Sequence, residues 1–322
     1  MIQNKKRPSL LLIIGAFAAV YLFWGSTYLA IKYAIETLPP FLMSGWRFMI
    51  AGAALTAWAH FSGAERPTRS QWQSAAVIGA LLFLCGNGGV VWAEQYIASG
   101  LAALLVATEP LWIVLLNWLR PGGVRPGMKV VLGLAVGFAG VWLLIGSGLS
   151  GSGGAVAGGG GTVLGAIVVI AAAFAWAIGS IYSLHAQLPA SSALASGMQM
   201  LAGGALLTLA GTFSGEWSRL DLSRLSAVSV GAFMYLVVFG SIIAFTAYSW
   251  LLRSVSPVRA STYAYVNPAV AILLGWAVAG EAISLRTLVA ASVIVASVML
   301  IVSQDKRSNE SHREETAAPC RC

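Results

Sequence analysis

Ten stretches of mostly apolar residues, each long enough to form a membrane-crossing helix, follow one another along the chain. A helix needs about 20 apolar residues to cross ~30 Å of hydrocarbon. The runs are continuous and do not alternate as the strands of a β-barrel would. The pattern predicts an all-α integral membrane protein with ten transmembrane helices. The predicted spans are residues 10–34, 41–61, 72–95, 99–119, 128–146, 162–183, 191–213, 228–252, 257–279 and 285–303.

The composition supports the same fold class. Of the 322 residues, 58% are hydrophobic and only 9% are charged. A soluble domain carries about 25% charged residues, so this chain cannot cover a water-facing surface of its own size. The apolar content excludes intrinsic disorder. The chain has three cysteines, two of them in the C-terminal tail, which excludes a disulfide scaffold.

The positions of the basic residues predict the orientation in the membrane. With a cytoplasmic N-terminus, fourteen of the 19 lysines and arginines fall in cytoplasmic segments, three in outer loops, and Lys32 and Arg47 within spans. Positive charge concentrates on the cytoplasmic side, so we expect both termini to be cytoplasmic. The formal net charge of +8 is then an orientation signal. Membrane lipid is an expected partner and nucleic acid is not.

A glycine-rich segment separates the spans into two groups of five. Residues 146–161 read GSGLSGSGGAVAGGGG, and this glycine-rich composition is typical of a flexible linker. The predicted divisions are a cytoplasmic N-terminus (1–9), a first repeat (10–146), the linker (147–161), a second repeat (162–303) and a cytoplasmic tail (304–322).

The two halves carry traces of a common origin. A shift of 158 positions lays Pro110 on Pro268, and Trp24 and Trp176 occupy matching places in the first and sixth spans. Because each half has an odd number of spans, the copies would insert with opposite orientation, which is the architecture of secondary carriers. Gene duplication in a channel or a scaffold is the alternative.

Glu109 is the clearest candidate for function. It lies about ten residues into the fourth span, so ~15 Å deep, and ionisable groups at such depth are usually functional. Pro110 follows it and leaves the Val106 carbonyl without a helical partner. The equivalent pair is Asn267-Pro268. We predict helix kinks at both prolines and a substrate or proton site at Glu109 and Asn267; a structural hydrogen bond between helices is the alternative.

Further polar side chains are predicted nearer the outer surface. Arg47 lies about 10 Å from the outer end of the second span, and Glu94 and Lys32 lie at similar depth. They form either a charged vestibule that binds the substrate or separate interface anchors that snorkel. Asn87 lies deeper, in the segment Gly86–Gly89, whose glycines permit either close helix packing or local unwinding.

Aromatic residues would complete a pocket. Trp24 and Tyr28 share one face of the first span, and Tyr263 and Tyr265 flank the predicted kink of the ninth. Such rings favour apolar or aromatic solutes and can hold a cation. Ordinary packing is the alternative for each of them.

Gly133 and Gly137 form a close-packing motif in the fifth span. The motif could serve a homodimer or an internal contact.

The chain lacks the signatures of an enzyme. It has no phosphate-binding G-x-x-x-x-G-K-[ST] motif and no zinc-binding H-E-x-x-H motif. The G-x-S-x-G turn of a serine hydrolase is also absent. The three histidines are far apart in sequence. We expect no catalytic activity, no metal and no cofactor.

Several segments resemble the EamA-type ten-helix drug/metabolite transporters, and within them the YedA-like inner membrane transporters of bacteria. They include WGSTYLAIK at Trp24–Lys32, SGLAALLVATEPL at Ser99–Leu111 and SVSPVRASTYAYVNPAVAILLG at Ser254–Gly275. The resemblance implies inverted five-helix repeats, a central cavity, a place in the bacterial inner (plasma) membrane, and export of small molecules.

The sequence therefore predicts a secondary transporter that exports small metabolites, amino acids or drug-like compounds by alternating access, with proton coupling left open. A passive channel or facilitator, or a membrane scaffold that transports nothing, are the alternatives.

Overall fold

The structure is a computed structural model that describes residues 9–119, 126–149 and 159–280, with residues 285, 288–290, 292–293 and 296–297. All regular secondary structure in these residues is helical. The long helices are Leu10–Ala34 (α1), Pro40–Phe61 (α2), Arg69–Ala93 (α3), Ser99–Leu119 (α4), Met128–Leu149 (α5), Gly159–Ser183 (α6), Ser192–Phe213 (α7), Ala227–Ser254 (α8) and Tyr263–Ala279 (α9). Short turns, Glu216–Arg219, Leu222–Arg224 and Pro257–Ala260, lie between them.

Six of the described helices are long and apolar enough to cross a membrane, namely α1, α3, α4, α6, α7 and α8. Shorter apolar helices occur within α5 and α9. Helix α2 has 22 residues, the length of α7, but contains the buried Arg47. These observations confirm an all-helical membrane protein. The number of ten spans stays a prediction.

Local sequence explains where several helices begin and end. Helix α3 starts with a capping box, in which Thr68 Oγ1 accepts a hydrogen bond from the Gln71 amide and Gln71 Oε1 accepts one from the Thr68 amide. Helix α2 starts at Pro40, where the missing N–H costs nothing. Helix α9 ends at Gly280, whose φ of 64° is the left-handed conformation that glycine tolerates.

The helices on both sides of the glycine-rich segment extend into the predicted linker. Helix α5 continues to Leu149 and α6 already begins at Gly159. In a membrane the backbone has no water to bond with, so helix is favoured even in glycine-rich sequence. Residues 150–158 lie outside the described residues, as do the N-terminal residues 1–8, the C-terminal residues 298–322 and most of the predicted tenth span.

Glycines bring α2 and α7 into backbone contact. A methyl group built on Gly52 would lie 2.8 Å from the Gly197 carbonyl oxygen, and one built on Gly204 would lie 2.9 Å from the Gly45 carbonyl oxygen. The pairs Gly45–Gly204 and Gly52–Gly197 show that the two helices run antiparallel. Gly197 and Gly204 of α7 also lie 152 positions after Gly45 and Gly52 of α2, the offset that relates Trp24 to Trp176.

The other glycine motif makes a contact within the chain. A methyl group built on Gly137 would lie 3.1 Å from Ser297 Oγ. This face of α5 therefore packs against the tenth-span region of the same chain. A homodimer stays a prediction.

Three helices widen as they pass the centre of the molecule. The segments Val20–Trp24 of α1, Ala80–Asn87 of α3 and Leu236–Ile243 of α8 are π-helical. A π-helical turn is rare and occurs frequently at functional sites. Each of the three segments contributes residues to the cavity described next.

Candidate functional site

A cavity lies between the two halves of the chain. Its wall is mostly aromatic and aliphatic, with a few charged and amide side chains. The charged and amide side chains of the lining are Arg47, Asn87 and Glu109 of the first half and Asn267 of the second. The lining residues that matter most are Trp24, Arg47, Asn87, Glu109, Trp176, Gly240, Phe245 and Tyr263.

Two helix breaks face each other at the acidic end of the cavity. Helix α4 consists of the segments Ser99–Val106 and Glu109–Leu119, so Glu109 is the first residue after the break. Tyr263 is the first residue of α9, after the turn at residues 261–262. The Tyr263 hydroxyl donates a hydrogen bond of 2.5 Å to Glu109 Oε2. This bond joins the broken helices of the two halves.

The Glu109 carboxyl group is held at the cavity wall but is only half satisfied. Its side chain is 1% exposed, and Oε1 has no hydrogen-bond partner among the described residues. An unsatisfied oxygen in such a setting is costly. A proton, or an N–H group of a solute, would satisfy it.

An aromatic cluster forms one wall of the cavity. The Trp24 ring centroid lies 4.7 Å from that of Tyr263, 5.0 Å from that of Tyr248 and 5.6 Å from that of Trp176. The Trp24 indole N–H donates to the Gly240 carbonyl at 2.9 Å, and the Tyr248 hydroxyl lies 2.7 Å from Ser180 Oγ. Protein groups thus engage these polar atoms, and mainly ring faces are left for a solute.

The cluster also separates the central cavity from a smaller one. Phe245 lines both cavities, and Tyr248 lines the smaller one together with Ser183 and Arg253. Ser183 and Arg253 lie at the C-terminal ends of α6 and α8, respectively. The side chains of Phe245 and Tyr248 are both buried in this wall.

Arg47 forms the basic side of the cavity. Its guanidinium donates from Nε to Ser241 Oγ at 2.7 Å and lies 4.6 Å from the centre of the Phe48 ring. It is 2% exposed. No ion pair or hydrogen bond joins Arg47 to Glu109 in the part of the chain that the structure describes. The two charged groups therefore offer separate binding positions.

The two asparagines of the lining differ in how their amides are used. Asn87 Oδ1 is buried and has no hydrogen-bond partner within the described residues. The Asn267 amide, oriented to suit its neighbours, donates to the backbone carbonyls of Tyr21 at 3.2 Å and Tyr263 at 3.1 Å. Asn87 can therefore accept a hydrogen bond from a solute, whereas Asn267 connects α1 to α9.

The remaining predicted side chains differ in their relation to the cavity. Tyr28 lines it, and the buried Glu94 interacts electrostatically with Arg47 and Tyr28. Lys32 is half-buried in the last turn of α1. The Tyr265 side chain lies outside the described residues.

The two prolines do not act alike. Pro110 lies in the first turn of the second α4 segment, directly after the helix break. Pro268 lies inside α9, which continues through it. The interruption in the second half falls at Ser261–Thr262 instead, six to seven residues earlier in the chain.

The model of the EamA-like transporter family matches residues 10–146 and again residues 163–303. The chain belongs to the EamA-like transporter family. This EamA transporter is 40% identical over 294 residues to the uncharacterized inner membrane transporter YedA of Escherichia coli K12, and the match covers 91% of each chain. It is 25% identical over 286 residues to Protein PagO of Salmonella typhimurium, covering 88% of this chain and 90% of that one.

A solved crystal structure shares the fold of this EamA transporter. It superposes with a TM-score of 0.68 at 22% identity, covering 93% of this chain and 99% of the other. With the apolar spans, these matches confirm a multi-pass inner membrane transporter. The family is one of transporters, so the prediction that the chain is not an enzyme is also confirmed.

The structure adds cavity residues that were not predicted from the sequence. Gly240 and Ser241 position Arg47, and Trp176 packs against its counterpart Trp24. The offset between Trp24 and Trp176 was the signal for Trp176. Nothing in the local sequence marks Ser241 as the partner of Arg47, because 194 residues separate them.

A metal site has no support in the described residues, where no three His, Cys, Asp or Glu side chains group together.

Proposed function

We propose that this EamA transporter exports small amphipathic solutes, metabolites or drug-like compounds, in exchange for protons. The single observation that carries the proposal is the Glu109 carboxyl group, which is buried beside a helix break with one oxygen bonded to Tyr263 and the other unpartnered among the described residues. Membrane-buried carboxyl groups at such positions commonly belong to proton and substrate pathways.

The proposed architecture is ten transmembrane helices in two inverted repeats of five, with both termini in the cytoplasm. The family model matches the chain twice, on either side of the glycine-rich segment. Helices α2 and α7, which are equivalent at an offset of 152 positions, run antiparallel and touch through equivalent glycines. Opposite directions for equivalent helices support inversion, and inverted repeats support alternating access by rocking of one half against the other.

Competition for one carboxyl group would couple the two fluxes. When Glu109 is ionised, Oε1 accepts an N–H group of the solute. When Glu109 carries a proton, the carboxylate charge that attracts the solute is gone. Solute and proton therefore exclude each other, and each crosses the membrane in exchange for the other. An inward proton gradient then drives solute outward.

The test uses the full chain reconstituted in liposomes. Counterflow is measured with pooled amino acids, purines, polyamines and cationic dyes, and then a pH gradient is imposed. Glu109→Gln keeps the size of the side chain but cannot exchange a proton, so gradient-driven accumulation should fall at least about tenfold while the protein still folds. Glu65→Gln, in the exposed loop before α3, is the matched control. Accumulation by Glu109→Gln at the wild-type level would refute proton coupling through Glu109.

The same assay separates the rival functions. A passive channel or facilitator would show neither saturation nor counterflow. A membrane scaffold would transport no solute of the panel, and replacing Glu109 and Arg47 together would leave its function unchanged.

A further inference from the structure

We propose that Arg47 is the residue that recognises the exported solute, by binding a carboxylate group of that solute. The proposal rests on the proposed function, because it assumes that the central cavity holds the solute. It adds what that proposal lacks, namely a chemical class of substrate and the residue that selects it.

The Arg47 guanidinium has donor capacity that the protein leaves unused. A guanidinium carries five N–H donors and stays protonated. Within the described residues, Nε donates a hydrogen bond to Ser241 Oγ, and the buried Nη1 has no hydrogen-bond partner. The group lines the cavity while the side chain is 2% exposed. A buried cation with unused donors is expensive to keep, and an anionic solute would satisfy it.

The neighbouring groups favour a carboxylate over a more highly charged anion. Glu109 also lines the cavity, and Glu94 interacts electrostatically with Arg47. Two acidic side chains would repel a phosphate monoester that carries nearly two negative charges. A carboxylate carries one charge, and its two oxygens match the fork of a guanidinium.

The rest of the wall describes the remainder of the solute. Asn87 Oδ1 and Glu109 Oε1 are both hydrogen-bond acceptors with no partner in the described part of the chain. Trp24, Phe83 and Phe245 supply an apolar surface. The matching solute is a small carboxylate with an N–H donor and an apolar body.

Gly240 keeps the guanidinium in place. A methyl group built on Gly240 would lie 2.8 Å from Arg47 Nη2, so only glycine leaves room for the observed position. The Gly240 carbonyl accepts the Trp24 indole N–H at 2.9 Å, which fixes this backbone. Gly240→Ala should therefore displace the guanidinium and keep its charge.

The experiment measures binding to the purified full chain in detergent, as the shift of its thermal unfolding temperature. The probes are three pairs, each a carboxylate and its primary amide: 3-phenylpropanoate, 4-methylpentanoate and leucine with their carboxamides. At least one carboxylate should stabilise the wild type and its amide should not. Arg47→Gln should weaken that carboxylate about tenfold or more, the value of one or more hydrogen bonds to a charged group. Arg224→Gln, in the loop before α8, should bind as the wild type does.

Each outcome decides the matter. Equal binding of acid and amide, no binding of any carboxylate, or an unchanged preference in Arg47→Gln would overturn the proposal. If Arg47→Gln does not fold, Gly240→Ala decides in its place, and an unchanged preference there has the same meaning. The assay contains no proton gradient. Carboxylate selection without gradient-driven transport would overturn proton coupling alone, and coupled transport without carboxylate selection would overturn the role of Arg47 alone.

Discussion

Helix α4 of the first half and helix α9 of the second are equivalent at an offset of 158 positions, yet they break in different places. Glu109-Pro110 corresponds to Asn267-Pro268. Helix α4 is interrupted just before Glu109, whereas the second half is interrupted before Tyr263, and α9 then continues through Pro268. The two breaks thus present a carboxyl group on one side and a phenol on the other, and these two groups bond to each other.

The polar side chains of the second half are used to support its backbone. Thr262 Oγ1 donates to the Arg259 carbonyl at 2.7 Å and lies 2.7 Å from the Tyr21 hydroxyl, which anchors the break to α1. The Asn267 amide donates to two backbone carbonyls. Glu109 Oε1, in contrast, has no hydrogen-bond partner in the described residues. The two halves share a scaffold, but the unpartnered carboxyl oxygen lies in the first half, whereas its counterpart Asn267 in the second half bonds to backbone carbonyls.

Helices α2 and α7 show the opposite behaviour, because their contact has kept its symmetry. Gly45 meets Gly204 and Gly52 meets Gly197, so each contact maps onto the other when the halves are exchanged. Backbone contact leaves no space for a side chain, and neither copy could diverge there without separating the helices.

The largest effect is expected from breaking this symmetric contact. In Gly52→Val the new Cβ would lie 2.8 Å from both the Gly197 carbonyl oxygen and the Leu201 backbone nitrogen, and backbone cannot move aside as a flexible side chain can. We expect a loss of about 3 kcal/mol or more of folding stability. Thermal unfolding and the yield of monodisperse protein in detergent measure it.

The control for this variant is Gly15→Val in α1, where nothing lies within 4 Å of the new Cβ. It introduces the same residue into a transmembrane helix without a clash, and should unfold close to the wild type. If both variants were equally stable, the glycine contact would not be what holds the halves together.

A charge exchange between α4 and α9 tests whether their difference matters. In Glu109→Asn combined with Asn267→Glu, the carboxyl group moves to the equivalent position of the second half. There it would face the carbonyl oxygens of Tyr21 and Tyr263, which accept hydrogen bonds and donate none. We expect gradient-driven transport in liposomes to stay below about one tenth of the wild-type rate.

The single variant Glu109→Asn is the reference for this exchange. Restoration of transport in the double variant, relative to that reference, would show that the two helix breaks are interchangeable and that the asymmetry is without consequence.

The contrast between the two breaks also shows what sequence could and could not predict. The apolar runs and the position of Glu109 within its span are local properties of the sequence. Composition and spacing were therefore enough to predict them. The bond from Tyr263 to Glu109 spans 154 residues, and although Tyr263 was predicted as a pocket residue, no local pattern predicts that it bonds to Glu109. In the first half the helix interruption lies directly before Glu109-Pro110. In the second half the helix tolerates Pro268, and the break is fixed by contacts of Thr262 with a distant helix.

The α2–α7 contact lay within reach of sequence reasoning. The offset of 152 that relates Trp24 to Trp176 also relates the glycines of α2 to those of α7. The π-helical segments have no comparable signal in the sequence.

The smallest effect is expected from removing the hydroxyl groups that hold each break. Tyr263→Phe deletes the bond to Glu109, and Tyr21→Phe deletes the contact with Thr262 Oγ1 at 2.7 Å. A hydrogen bond to a charged group contributes about 1.5–3 kcal/mol and a neutral one about 0.5–1.5 kcal/mol. With Glu109 ionised, Tyr263→Phe should therefore lose more stability than Tyr21→Phe, as measured by reversible unfolding of the purified protein in micelles.

Repeating both measurements at decreasing pH sharpens the result. Once Glu109 gains a proton, its bond to Tyr263 becomes a neutral one, so the additional cost of Tyr263→Phe should decline towards that of Tyr21→Phe. The Tyr21 phenol in the Thr262 contact stays protonated as the pH decreases, so the cost of Tyr21→Phe should stay constant. Equal costs for the two variants at every pH would mean that Glu109 is neutral throughout, and the cavity would then lack the carboxylate on which proton exchange with a solute depends.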